Sequence, residues 1–572
     1  MHSKIHPLRR FLKLLEADRK DIYNLYVYAV LAGIIGLSLP LGIQAIINLI
    51  TIGQLSTSWA VLVSLVIAGV IVAGLMQVMQ LRITESLQQR IFLRTSFEYS
   101  YRLPRIKLEA TDKYYLPELV NRFFDSLSIQ KGLPKVLIEF STAVLQIVFG
   151  LILLSLYHPS FILFGVLLSL IIFLIIKLTG QKGLSTSINE SNYKYEMAHW
   201  LEEISRTMKS FKVTANTDLL MQKTDEVAAN YLGYRKQHFK ILQLQYFGMI
   251  AFKAVVASGL LIIGSILVVN QKINLGQFVA AEIIIVMVVN SVEKLILSTE
   301  TIYDVLTAVE KLSALTDLPL DKEEGESVDV LQMNSGPSIS IKNLSFAFPN
   351  QKGFVLNNLS LDIKPSERVV IAGYNSSGKS TLLQLIAGIY NQYSGSILIN
   401  NLPCGNLNKS SLRSQIGLSL SNDNIFKARL YDNIVMGRSG ISFDTVRWVS
   451  EKLLLDDFVK STEKGFDTIL ETEGRKLSRS VVRKILLARS IVHRPRILLL
   501  ENPTDEIDSK KSDAIVNFLS DRSIDCTVLA VSNNLELAEK FDRVIVLKNG
   551  SIIGEGKVEE LKKYDWFKDV FR

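Results

Sequence analysis

Cysteine is almost missing from this 572-residue chain. Only Cys404 and Cys526 occur, without metal-ligand spacing, which excludes a disulfide framework and a cysteine zinc site and fits a reducing compartment. Also missing is any basic run interleaved with aromatic residues. The formal net charge of +9 is therefore not read as a nucleic-acid surface, and no nucleic-acid partner is expected. A cleavable signal peptide is not expected either, because the first apolar stretch starts near Tyr23 and runs too long for one. Lysine and arginine are missing from two short links, residues 51–58 and 157–160.

What is abundant is apolar sequence: 48% of residues are hydrophobic, which points to a membrane. Up to about residue 298 they lie in six runs, Leu25 to Ile50, Trp59 to Gln80, Val136 to Leu156, Phe161 to Leu178, Phe247 to Val269 and Leu275 to Ser298. At 1.5 Å per residue each reaches across roughly 30 Å of hydrocarbon. The two links without Lys or Arg face away from the cytoplasm. The N-terminal segment with Lys4, Arg9, Arg10, Lys13, Arg19 and Lys20, and the charged segments Arg82 to Lys135 and Thr179 to Gln245, face it. Both termini are expected in the cytoplasm of a multi-pass protein of the cytoplasmic (inner) membrane, and Lys/Arg-rich cytoplasmic loops account for the charge surplus.

The two long charged segments are too polar for lipid and too helix-prone for disorder. They are expected to continue the spans as cytoplasmic stalks, punctuated by Pro104 and Gly132-Leu-Pro134 in the first and with a tip at Ser210 to Thr217 in the second. Three ionisable residues fall inside spans. Glu139 and Lys253 lie near cytoplasmic ends, where long side chains reach the interface. Glu282 is deeper, a pathway residue or a protonated or interhelically bonded structural one. It is not expected to pair with Lys253, since their heights differ by roughly 16 Å at helical rise.

Beyond about residue 337 the pattern changes to alternating short strand-like and helix-like stretches. Four regions are expected: a cytoplasmic N-terminal segment 1–24, a six-helix transmembrane domain 25–316, a polar linker 317–337 and a nucleotide-binding domain 338–572. Within the last, Gly373, Tyr374, Asn375, Ser376, Ser377, Gly378, Lys379, Ser380 and Thr381 spell the phosphate-gripping loop G-x-x-x-x-G-K-[ST]. Glycines let backbone N–H groups turn toward phosphate oxygens, Lys379 reaches the β- and γ-phosphates, and the Ser380 hydroxyl ligates Mg²⁺. The run Arg368 to Ala372 before it suits a buried strand, and the segment after it is helical, adding a positive dipole end.

Six spans with cytoplasmic stalks fused to a C-terminal phosphate-loop domain resemble the ABC exporter half-transporters, and the likeness covers nearly the whole chain. It implies a six-span α-helical bundle followed by an α/β P-loop NTPase (ABC ATPase) domain, with ATP and Mg²⁺ as cofactors. Pro117 to Phe123 looks like the family's first coupling region, Ile273 to Phe278 like its lead into span six, and Phe348 stands where an aromatic stacks on adenine. The resemblance also exposes departures. The apolar strand Ile497 to Leu500, which in the family ends in Asp-Glu, is followed by Glu501-Asn502. Glu501 still suits the metal, but a carboxamide at Asn502 cannot accept the proton of the attacking water. Ser421 stands for the usual glutamine and Asn533 for the switch histidine, and the signature reads Leu477-Ser-Arg-Ser-Val481, which keeps Ser478 but puts Arg479 and Ser480 in place of glycines.

The resemblance implies a homodimer or a heterodimer with a second half-transporter, each ATP lying between one chain's loop and the other's signature. Two functions are compatible with these residues. One is half of an exporter that binds ATP with lost or strongly reduced hydrolysis and works with a catalytic partner. The other is a non-hydrolysing scaffold or regulator. Cargo is open among lipid, drug-like molecules, and peptide or protein.

Overall fold

The architecture is that of a computed structural model, which describes every residue except 1–5, 52–56, 215–216, 322, 328–334, 350, 523–524 and 572, and the side chains of 509 and 510 likewise fall outside the described set. Two units are distinguished: Met1–Pro104 with Tyr114–Leu318, and Arg105–Lys113 with Pro319–Arg572.

The first unit is helical. Among the described residues six helical stretches are long and apolar enough to cross a membrane: Arg19–Thr51, Thr57–Arg105, Leu116–Tyr157, Ser160–Arg206, Leu219–Val269 and Leu275–Thr316. The helices Thr57–Arg102, Ser160–Arg206 and Leu219–Val269 have 46, 47 and 51 residues. At helical rise each is roughly 70 Å long, more than twice the hydrocarbon thickness, so the spans do continue as stalks. None of the three contains proline, and nothing interrupts their hydrogen-bond ladders where apolar sequence gives way to charged. Proline leaves its mark elsewhere. Pro134 is followed by a π-helical turn, Lys135–Phe140, and helix Arg19–Gly36 ends two residues before a helix that has Pro40 in its first turn. Of the expected tip of the second stalk, Ser210 to Thr214 is helical, as part of Met208–Thr214, and residues 215–216 lie outside the described set.

The motif before span six has a local cause. Asn274 Oδ1 accepts the Gln277 N–H at 2.8 Å and Gln277 Oε1 accepts the Asn274 N–H at 2.9 Å, a capping box that starts the helix. Deeper in the unit, buried Gln245 joins three helices. Its amide donates to Thr179 Oγ1 and Tyr303 Oη, both at 2.8 Å, and its Oε1 accepts from Thr299 at 2.9 Å. Every polar group of that carboxamide but one lone pair is used, which makes the contact specific as well as tolerable in an apolar setting. Lys253 pairs with Glu293 at 2.7 Å, not with Glu282, and Glu139 and Glu282 are exposed.

Among its described residues the second unit holds ten strands: β1 (Ile339–Phe346), β2 (Leu356–Ile363), β3 (Arg368–Gly373), β4 (Ser394–Ile399), β5 (Leu402–Pro403), β6 (Ile416–Ser419), β7 (Ile497–Glu501), β8 (Thr527–Val531), β9 (Arg543–Lys548) and β10 (Ser551–Gly556). A four-stranded antiparallel sheet runs β2-β1-β4-β5, and a six-stranded sheet runs β10-β9-β3-β8-β7-β6, parallel apart from β10. Both faces of the parallel sheet are covered, as its unbroken apolar strands require. Val370, Ala372, Leu498, Leu500, Val528 and Ala530 face one core, whereas Val369, Ile371, Ile497, Leu499, Leu529 and Val531 face the other. Residues 105–113 belong to this unit because Lys107 N–H donates to Pro319 O, Asp321 N–H to Arg105 O, and Asn391 N–H to the Glu109 carboxylate. The segment Pro117 to Phe123, which resembles the family's first coupling region, lies in the helical unit.

His493 gives this unit a pH dependence. Its Nε2–H faces the Ile416 carbonyl at 3.3 Å, its Nδ1 is buried without a partner, and burial pushes the imidazole down to about 4. The unfolded chain takes up the proton near pH 6.5 and the folded one does not, so stability falls as pH drops from about 6.5 toward 4, by roughly 1–2 kcal/mol after solvent screening. Thermal unfolding across that range is expected to show a flatter profile for His493→Gln than for the wild type.

Candidate nucleotide site

The carboxyl edge of a parallel sheet is where open α/β folds bind ligands, and four strand ends meet there in this unit. From β3 the chain enters the loop Gly373 to Gly378 and then helix Lys379–Ile386. Ser421 follows β6, Glu501 closes β7 with Asn502 next, and Asn533 follows β8. These are the sequence-predicted residues, and the sheet brings them together.

The loop requires glycine at both ends. Gly373 has φ +144° and a Cβ there would meet Leu547 O at 2.1 Å; Gly378 has φ +92° and a Cβ would meet Leu356 Cδ2 at 2.5 Å. Gly378→Ala is expected to cost about 1–3 kcal/mol of stability and to weaken nucleotide binding, read from the melting temperature and an ATP titration. Asn375 and Ser376 are exposed at the loop's tip, while Ser377 and Thr381 are buried, Ser377 Oγ without a partner. Tyr374 lies under the Lys548 ammonium, 5.0 Å from ring centre to nitrogen. Lys379 folds back over the loop, donating to Gly373 O at 2.9 Å and Tyr374 O at 2.6 Å. Burial lowers its pKa, with Glu501 opposing that shift.

Glu501 accepts from the Ser380 hydroxyl and, at 2.9 Å, from the Ser421 N–H. A hydroxyl and a carboxylate side by side are hard oxygen donors, and they fit Mg²⁺, which takes one or two protein ligands beside phosphate and water. Among the described residues no group of three His, Cys, Asp or Glu is placed to hold a metal alone. Asn502 has φ +46°, its N–H donates to Val531 O at 2.8 Å, and its carboxamide nitrogen lies 3.5 Å from Ser421 Oγ. No proton acceptor stands at that position.

Phe348 is half-buried and packs edge-on against Phe346 and Tyr390, with centroids 5.1 and 5.5 Å apart. Ser478 is not among the groups gathered at the strand ends. It caps helix Arg479–Ile491, its Oγ accepting the Val481 N–H. Sequence reasoning passed over Glu506, although two adjacent carboxylates, Asp505 and Glu506, follow Thr504 directly. Glu506 takes Arg479 in an ion pair at 2.7 Å, with the arginine side chain 84% exposed. It also passed over what Asn533 does: its Oδ1 accepts the Gly373 N–H and its Nδ2 donates to Gly373 O, both at 3.1 Å.

Residues 22–292 match the ABC transporter transmembrane region and residues 356–505 the ABC transporter domain. Similar curated proteins include the alpha-hemolysin translocation ATP-binding protein HlyB of Proteus vulgaris, 27% identical over 58% of this chain and 46% of that protein. The leukotoxin export ATP-binding protein LtxB of Aggregatibacter actinomycetemcomitans is 26% identical over 64% of this chain and 51% of its own length. The matched stretch thus spans about half the length of these relatives. Among solved structures, a bacterial Atm1-family ABC exporter with ATP bound shares the fold at TM-score 0.81 and 18% identity, over 96% of this chain and 97% of that one. With a transmembrane region and a phosphate-loop domain that both match ABC transporter models, the chain belongs to the ABC transporters.

Proposed function

We propose that this half-transporter binds ATP with Mg²⁺ and turns it over slowly or not at all, acting beside a hydrolysis-competent partner chain to move cargo out across the cytoplasmic membrane, with both its termini in the cytoplasm. The observation that carries this reading is a fully formed phosphate loop, with Lys379, Ser380 and Glu501 gathered at it, next to Asn502, which cannot take a proton. Lys379 and the loop N–H groups would hold the phosphates, Phe348 the base, and Ser380 and Glu501 the metal. Bound Mg²⁺ would neutralise phosphate charge. Asn533, in place of a histidine, spends its carboxamide on the Gly373 backbone, and Ser421, in place of a glutamine, meets the Glu501 carboxylate through its backbone N–H and carries a side chain too short to stand in for the longer amide.

The relatives' names, hemolysin translocation and leukotoxin export, favour a peptide or protein cargo. A second reading, a non-hydrolysing scaffold or regulator, is favoured by the ion pair of Arg479 with Glu506. That pair puts a bulky charged group at a signature where family members have bare glycine backbone. Purification of the tagged chain from its native membrane separates the two. A second half-transporter with an intact base and signature in the complex, and ATPase activity that depends on it, supports the exporter. A complex that never hydrolyses ATP supports the scaffold.

A further inference from the structure

β3 and β8 pair in parallel with Ile371 opposite Val531, and the Ser532 N–H still donates to Ile371 O at 3.2 Å. Two residues on in that register, Gly373 stands opposite Asn533. The backbones no longer pair there, because the chain after Gly373 turns into the phosphate loop and the chain after Asn533 enters helix Leu535–Lys540, capped by Asn534. The Asn533 carboxamide fills the gap. A carboxamide has the same donor and acceptor as a peptide group, and this one meets both the N–H and the C=O of Gly373 at 3.1 Å. On the other side Gly373 pairs with Leu547 of β9, whose carbonyl also accepts the Tyr374 N–H at 3.3 Å. The first residue of the loop is therefore gripped from both neighbouring strands.

We infer that Asn533 is a positioning residue: it splints the mouth of the phosphate loop in its cradle form, whether or not Lys379 is bound to the Gly373 carbonyl. When Lys379 turns to a phosphate, the Gly373 carbonyl loses one of its two donors and keeps the other, Asn533 Nδ2. The loop then has no unpaired carbonyl to pull it out of shape. A neutral imidazole at this position presents its donor and acceptor at opposite ends of the ring and meets only one of the two groups. The asparagine is thus suited to a different task from a side chain that touches the terminal phosphate.

This inference rests on the nucleotide-binding reading, and its test separates the two. With the full-length chain in lipid nanodiscs, Mg-ATP and Mg-ADP affinities are measured for wild type, Asn533→Ala, Asn533→His and Lys379→Ala. A splint acts on the loop that holds the β-phosphate, so Asn533→Ala should weaken ATP and ADP by the same factor, about tenfold for two neutral hydrogen bonds. Asn533→His, keeping one bond, should give a smaller and equally shared loss, and serves if the alanine variant does not fold. A loss confined to ATP would mean that the side chain touches the γ-phosphate, and no loss for either nucleotide would mean that the loop needs no splint; each overturns the inference. If wild type binds neither nucleotide, the binding reading itself fails. If wild type binds and only Lys379→Ala matters, the splint alone fails.

Discussion

Lys379→Ala is expected to lower ATP affinity on the order of 100-fold, about 3 kcal/mol, while leaving the fold intact. The magnitude follows from losing charge-assisted hydrogen bonds to phosphate, each worth roughly 1.5–3 kcal/mol. That the fold survives follows from what the ammonium holds. Its two acceptors keep other donors, Asn533 Nδ2 on Gly373 O and the Ser377 N–H on Tyr374 O. No buried carbonyl is orphaned, so the melting temperature of the nucleotide-free protein should stay near the wild-type value. Titration of both proteins with Mg-ATP, beside a thermal melt, checks the two halves together. Equal affinity for the two proteins would show that ATP does not sit at this loop.

Turnover provides the second large effect. The purified chain is expected to hydrolyse ATP 10²–10⁴-fold more slowly than a site with a general base, the range such a base typically supplies. Asn502→Glu places a carboxylate beside Ser421 and should raise the residual rate at least about tenfold at saturating ATP, whereas Asn502→Ala should change it little. Glu501 does not substitute for the base, since it stands beside the Ser380 hydroxyl, where the two would hold the metal. Phosphate release from protein freed of contaminating ATPases is the measurement. A wild-type rate of several per second, in the ordinary range of enzymes, with Asn502→Ala just as fast, would sink the proposed chemistry.

Much of the architecture was legible before any coordinates. The six apolar runs became six helices because a 20-residue apolar run in lipid has few other ways to satisfy its backbone. Their extension into stalks was legible from sequence too polar for lipid and too helix-prone for disorder. The glycines at 373 and 378 announced the loop because few other residues adopt those backbone angles. Other features were not legible. The grouping of Arg105–Lys113 with the soluble unit is one of them, made by backbone hydrogen bonds with Pro319, Asp321 and Asn391. Partners more than 200 residues apart leave no local pattern. The pairing of Lys253 with Glu293 and of Arg479 with Glu506 likewise depends on which helix faces and loops come together.

By itself the sequence determined what is local: which segments are apolar enough to span, where the phosphate loop turns, and which groups are missing, since a carboxamide at 502 has no proton affinity in any fold. Tertiary structure alone decided what the replacements do instead. Asn533 reads in sequence as a lost histidine, yet the parallel register of β3 with β8 sets it opposite Gly373, where its amide continues a ladder that the backbone has left. The physical reason is that hydrogen bonds act over about 3 Å of space, and only the packed sheet makes residues 160 positions apart into neighbours.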